Sequence, residues 1–415
     1  MTIWIKRCLV LVLSGLMISG CTGCSANHRS GKSSAEISEK NQAQQTMEQS
    51  SSRSLSTHFQ SQRKEPASLP TVLNADHEEQ IRKPSEPVRG IYVSGWVAGS
   101  RKHMDRLIHL IDTTNLNAMV IDVKNDYGEL TYRSNIPEVR TMGAASHPAI
   151  KDIHALISRL KSRNIYCIGR IVVFNDPLYV RKKPELAFQK KNGGVWLDHQ
   201  GKAWIDPYQP EPRSYNIAIA EEAASLGFDE IQFDYVRFPD NGAKVDTEVR
   251  YAGINGSSKA EVIQLFLQQA KDRLHSAGVR ISADVFGLVT SSRDDMGIGQ
   301  SWPAIASVVD VISPMTYPSH YSQGMYGINS PDLQPYKVIR KAMADAMRRN
   351  KALNATPKKQ AAQIRPWLQG FTATWVHPHQ RYGAHQINKQ IQAANEQGVK
   401  EFLLWSSNCK YDYRS

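Results

Sequence analysis

Three aspartates, Asp122, Asp234 and Asp284, each stand near the close of a short apolar run, where a side chain leaves a packed interior and meets ligand or solvent. In residues 119–128, Asp122 and Lys124 fall on one face of an extended chain, and Asp126 follows in the next loop. In residues 228–239 the run ends with Asp234, Tyr235 and Arg237 before Pro239 stops the pairing. Gln232, Asp234 and Val236 share a face there, and Asp234 is its one ionisable member. Asp284 closes the run at 281–287 in the same way. One acid at such a place is commonly a loop cap. Three converging on one rim form the constellation from which acid/base pairs are built, with environments that separate their protonation.

The elements that must position these groups follow from periodicity. Apolar runs at 90–96, 118–124, 166–173, 230–238, 280–286, 309–315, 366–372 and 401–406 read as strands. Helical patterns lie between them at 102–114, 148–163, 214–226, 259–276, 302–307, 335–350 and 379–397, with Gly227, Gly278 and Gly398 just past helix ends. Eight strands alternating with helices predict an α/β fold, a (β/α)8 TIM barrel over residues 88–408. A doubly wound open sheet would alternate similarly, but residues 91–100 carry no GxGxxG phosphate fingerprint. The two longest irregular stretches, 174–213 and 317–334, both follow strand C-termini, which in a barrel form the active-site rim.

The chain begins with Lys6 and Arg7 ahead of an apolar core at 9–18, too short to span a bilayer, which predicts a signal peptide over residues 1–20. Its end, Leu16-Met17-Ile18-Ser19-Gly20-Cys21, resembles the bacterial lipobox and implies lipidation of Cys21, with several acyl chains giving durable attachment. Residues 21–87, polar and with Phe59 as the one aromatic, cannot bury enough apolar area to offset ordering entropy. They read as a disordered tether with a root-mean-square reach of about 45 Å. Residues 409–415 are expected as a C-terminal tail. The protein is thus expected to be exported and lipid-anchored in the cell envelope.

Residues 22–87 carry eight Lys/Arg against eight Asp/Glu, and two more cations lie in the signal peptide, so ten of the twelve net positive charges belong to residues 88–415. A basic domain attracts nucleic acid, anionic lipid or acidic polysaccharide. No extended Lys/Arg-rich run or nucleic-acid motif is present, which argues against the first. The five cysteines support neither a disulfide framework nor metal-ligand spacing, and nothing in the sequence calls for a cofactor.

A more specific signal comes from motifs in order: Arg89-Gly90-Ile91-Tyr92-Val93, Asp122-Val123-Lys124-Asn125-Asp126-Tyr127-Gly128, Gly169-Arg170-Ile171-Val172-Val173-Phe174, Trp204-Ile205-Asp206-Pro207-Tyr208, Asp234-Tyr235-Val236-Arg237-Phe238-Pro239, and Ser313-Pro314-Met315 with Tyr317-Pro318. In these the chain resembles a bacterial domain family of unknown function, classed by inference with the glycoside hydrolases. The resemblance covers residues 88–408 and implies a glycosidase-like barrel. The fourth run also resembles the chitinase signature in rhythm. It departs where that pattern needs a further Asp, here Gln232, and a general-acid Glu, here near Val236, which argues against substrate-assisted chemistry.

Glycoside hydrolysis generally uses two carboxyls, about 5 to 5.5 Å apart in retaining enzymes and about 6.5 to 9.5 Å in inverting ones. Adjacent strands lie about 4.8 Å apart, so Asp234 and Asp284 suit a retaining pair, with Asp234 as nucleophile and Asp284 as acid/base, whereas Asp122 with Asp234 would be wider and fits inversion better. Asp122 and Asp126 are expected to bind sugar hydroxyls or tune that pair. Trp204, Tyr235, Tyr317 and Trp405, with Trp96, Tyr127, Tyr208, Tyr321 and Trp375, fall at or after strand ends and suggest stacking surfaces for an oligosaccharide. Arg170, Arg237 and Lys124 suit the carboxylate or phosphate of an acidic glycan. The leading expectation is an envelope glycoside hydrolase acting on an amino-sugar or acidic polysaccharide. The alternative is a non-catalytic carbohydrate-binding lipoprotein on the same barrel.

Overall fold

A computed structural model describes residues 81, 83–254 and 256–415. The signal peptide, Cys21 and nearly all of the tether lie outside the described residues. Eight parallel strands close on themselves: β1 (Arg89–Val93), β2 (Ala118–Lys124), β3 (Tyr166–Val172), β4 (Glu230–Asp234), β5 (Arg280–Phe286), β6 (Val311–Met315), β7 (Gln363–Ile364 and Trp367–Gln369) and β8 (Phe402–Trp405). β8 pairs with both β7 and β1, and Trp367 of β7 meets Met315 of β6, so the barrel has no open edge. The helices Arg101–Asp112, Ile153–Lys161, Pro210–Ser225, Lys259–Ser276, Trp302–Ala306, Pro335–Asn354 and Ala384–Glu396 form the outer ring.

Alternation along each strand divides the barrel into an apolar outer face under the helices and an interior built in layers. Ile231 and Phe233 of β4 are fully buried apolar groups, while Glu230, Gln232 and Asp234 on the opposite face make polar contacts across the barrel. The lowest layer is ionic. Arg365 donates to Glu230 at 2.8 Å and to Glu401 at 2.7 Å, and the second oxygen of Glu401 accepts from the backbone N–H of Val88 at 3.0 Å. A buried ion triad adds little net stability, but removing one partner strands the others. Arg365→Leu is therefore expected to cost about 3–5 kcal/mol in urea unfolding. Above it, Gln232 donates to Ser313 at 3.2 Å, and the layer at the mouth carries Asp122, Arg170, Asp234 and Asp284.

Two sequence expectations are corrected by the observed elements. β4 stops at Asp234 rather than continuing to 238, because Tyr235 adopts φ +50, a left-handed conformation that ends extended pairing. The stretch 174–213 is not structureless. It holds the helix Pro177–Lys182, capped by Asp176 on the N–H of Tyr179 at 2.8 Å, and the strand Gln189–Lys190, paired antiparallel with Val249–Arg250. In residues 409–415, Tyr411 donates to the carbonyl of Tyr92 at 2.7 Å and Tyr413 to Asn115 at 2.6 Å, fastening this segment across β1. After β2, Gly128 takes φ +81, and a Cβ there would stand 1.9 Å from Asp176. That turn therefore requires glycine, and it carries Asp126.

Candidate active site

Arg170, from the middle of β3, is the hub of the mouth. Its buried guanidinium donates from Nε and Nη2 to Asp234 Oδ2 at 2.9 and 2.6 Å, from Nη1 to Asp122 Oδ1 at 2.8 Å, and from Nη2 to Asp126 Oδ1 at 3.3 Å. Its side chain is 2% exposed, against 38% for Asp126, so one cation ties two interior acids to one facing solvent. Register explains the first two contacts: Asp122 and Arg170 are direct partners across β2 and β3, and Asp234 pairs with Val172 across β3 and β4. The Tyr92 hydroxyl of β1 donates to Asp122 Oδ2 at 2.6 Å. The ring of Tyr92 stacks on Trp405 of β8, with centroids 4.1 Å apart, and the Arg170 guanidinium stands 5.6 Å from the centre of the Trp405 ring. Burial pushes the Asp122 carboxyl above its ordinary value, with Arg170 opposing and Asp126 reinforcing the shift.

Asp234 and Asp284 follow directly on the last registered pair of β4 and β5, Phe233 opposite Ala283, so the two acids stand side by side on neighbouring strands. Their surroundings differ. Asp234 accepts the two Arg170 bonds on Oδ2 and the backbone N–H of Tyr235 on Oδ1 at 2.7 Å. Asp284, 2% exposed, accepts from the indole of Trp367 at 2.7 Å. Burial first, and the neighbouring Asp234 second, push the Asp284 carboxyl well above the usual carboxylate range. Tyr317 is buried beside the same pair, and desolvation followed by the charges of Asp284 and Asp234 raises its phenol well above the ordinary value. One acid matched by a cation and a neighbour favoured as the neutral carboxylic acid can divide nucleophilic and proton-donating work between them.

Lys124 is not at the mouth. β2 carries a bulge between Asp122 and Lys124, where the register passes from Asp122–Arg170 to Lys124–Ile171. One extra residue turns the side chain to the outer face. There its fully buried ammonium donates to Asp176 at 2.8 Å and to Asn216 at 2.7 Å, which corrects its expected role in binding substrate. Arg237 is also committed within the protein. Its guanidinium lies 4.9, 5.1 and 4.5 Å from the ring centres of Trp204, Tyr235 and Phe286, and it sits 2.7 Å from Asp240. Trp204, expected as a sugar platform, is a buried wall of that stack, with its indole N–H on Asp198 at 2.9 Å. Tyr317, Tyr208 and Tyr321 are buried too, while Tyr235 and Trp405 are partly exposed. The aromatics open to solvent are Trp96, Tyr127 and Trp375, on the segments after β1, β2 and β7. His377 and His379 have ring centres 5.5 Å apart, and among the described residues no three His, Cys, Asp or Glu side chains are grouped to hold a metal ion.

Residues 90–411 match the family model described as "Putative glycosyl hydrolase domain". The chain belongs to this glycosyl hydrolase family. Among curated proteins none matches the sequence. Of solved structures, the glycoside hydrolase domain of PgaB (BpsB) from Bordetella bronchiseptica is similar at 15% identity over 78% of this chain and 95% of its own, with a TM-score of 0.53. That likeness shows the fold. A hypothetical protein from Ruminiclostridium thermocellum ATCC 27405 is 38% identical over 50% of this chain and 98% of its own, with a TM-score of 0.43. Within this glycosyl hydrolase barrel, the sequence reading missed Tyr92 and Trp367, the groups that hold Asp122 and Asp284. Both lie on the interior-facing alternation of their strands, which is the signal that would have found them.

Proposed function

We propose that the barrel is a glycoside hydrolase of the cell envelope, lipid-anchored through Cys21, in which Asp234 is the nucleophile and Asp284 the acid/base. The observation that carries this reading is the unequal pair: adjacent carboxyls on β4 and β5, one ion-paired to Arg170 and the other buried against an indole. Attack by Asp234 on the anomeric carbon would form a glycosyl-enzyme as Asp284 protonates the departing oxygen. Asp284 would then take a proton from water as it releases the sugar. The spacing of neighbouring strands, about 4.8 Å, suits this retaining course.

Four carboxyls surround the single guanidinium of Arg170 at the mouth, and Arg237 is engaged by Asp240. Of the amino-sugar and acidic polysaccharides expected from the sequence, this balance favours the former, or a neutral sugar, at the cleaved position. Trp96, Tyr127 and Trp375 offer exposed ring faces for further sugar units on the rim. The test is release of reducing ends from defined envelope and exopolysaccharide fragments by the full chain, with Asp234→Asn as control. Cleavage by the wild type and none by the variant supports the reading. Equal cleavage by both removes Asp234 from the reaction, and binding without cleavage by the wild type would make this a carbohydrate-binding protein.

A second expectation concerns Trp367. Its N–H bond stabilises the ionised form of Asp284. Trp367→Phe removes that donor, so Asp284 should stay protonated to higher pH. The alkaline limb of the kcat/KM profile should therefore move to higher pH, and a shift in the opposite direction would remove Asp284 as the proton donor.

A further inference from the structure

The net positive charge of the barrel is concentrated on one helix. Residues 335–359 contain eight Lys/Arg and one Asp, a net charge of +7 out of the +10 on residues 88–415. No contiguous run betrays this in the sequence, because the helix Pro335–Asn354 gathers the charge by its period. Val338, Ile339, Ala342, Met343 and Ala346 are buried against the barrel, and Lys337, Arg340, Lys341, Arg348 and Lys351 project from the opposite, exposed side. From 337 to 351 this ridge runs about 21 Å at 1.5 Å per residue, and Lys358 and Lys359 lie just past the helix end. Elsewhere several surface cations face an acid, as Arg163 faces Asp112, Arg273 faces Glu221, and Lys183 faces Glu138 and Glu211. On the ridge Arg348 pairs with Asp345, and the other cations of 335–359 make no ion pair among the described residues.

We propose that this ridge docks the barrel on the anionic headgroups of the membrane that carries the lipid anchor. The cations lie along one side of a single helix with at most one acid among them, a charge complement to a plane of anionic headgroups. Basic residues close to anionic lipid each contribute attraction that fades within a screening length. The inference rests on the proposed anchor for proximity, since such an anchor would hold the ridge at high effective concentration over the lipid. Docked along this helix, the barrel would lie on its side, because the outer helices run roughly along the barrel axis. Its mouth would then open parallel to the membrane, toward glycan lying against it.

The test uses the full chain reconstituted with vesicles of phosphatidylcholine alone or of equimolar phosphatidylcholine and phosphatidylglycerol, followed by amine acetylation read by mass spectrometry. Lys337, Lys341 and Lys351 should be protected at least tenfold on the anionic vesicles relative to the neutral ones, and the protection should vanish in about 1 M salt, where the screening length is about 3 Å. Lys337→Glu/Lys341→Glu/Lys351→Glu should abolish the preference for anionic vesicles without changing hydrolysis of a soluble substrate. Arg133→Glu/Arg140→Glu/Lys151→Glu, an equal change of charge elsewhere, should leave the preference intact. Equal labelling on both vesicle types overturns the proposal, as does protection by a soluble polyanion with none on vesicles. A chain that ignores neutral vesicles but protects the ridge on anionic ones keeps the ridge and discards the anchor, so the two failures are distinguishable.

Discussion

Replacing Arg170 by methionine is expected to abolish hydrolysis and to destabilise the barrel together. The guanidinium is the shared donor to Asp122, Asp126 and Asp234, and its removal leaves two buried carboxyls without a cation. Loss of one partner from a buried ion pair costs about 3–5 kcal/mol. Denaturant unfolding at neutral pH should show a deficit of that size. The deficit should shrink as the pH falls and the carboxyls become neutral. Arg170→Lys should recover part of the stability and little of the activity, since an ammonium cannot reproduce the fork that fixes Asp234 and Asp122 at once. A fully active Arg170→Met would show that the orientation of Asp234 is immaterial to the reaction.

Asp284→Asn is expected to move activity and stability in opposite directions. As proton donor, Asp284 contributes about 10²–10⁴ in rate, which the amide forfeits. In the folded protein its carboxyl is raised by burial and by Asp234, so the native state holds this proton more tightly than the unfolded chain. The stability derived from it is complete below the unfolded value of about 3.9 and is lost as pH rises toward the folded value. Asparagine stays neutral and can still accept from Trp367. The variant should therefore unfold at a higher temperature than the wild type at neutral pH, with the difference vanishing near pH 4. Equal or lower stability at neutral pH would contradict the buried, neutral Asp284.

Much of the barrel was legible because strand and helix periods differ. The strand limits of β2 and β5 and the helix Lys259–Ser276 coincide with the apolar patterns that predicted them. The side-by-side placement of Asp234 and Asp284 was legible too, since consecutive strands of a barrel are neighbours and both acids fall at or just before the C-terminal ends of their runs. What escaped depends on single-residue geometry or on partners remote in sequence. The bulge in β2 reverses Lys124 without changing residue type. The left-handed Tyr235 truncates β4 inside an apolar run. Arg237 and Trp204 have the composition of a sugar site, yet they spend it on each other because Phe286, from β5, completes the stack. The triad of Arg365, Glu230 and Glu401 draws on three separate strands and segments that no local pattern connects.

The stereochemistry of the product tests the central pair most directly. With a substrate that the wild type cleaves, proton NMR of the first-formed sugar should show retained anomeric configuration. In the presence of azide, Asp284→Asn should yield a glycosyl azide of retained configuration and Asp234→Asn one of inverted configuration, as expected when the first removes the acid/base and the second the nucleophile. An inverted wild-type product, or the same azide anomer from both variants, would contradict the assignment of Asp234 and Asp284.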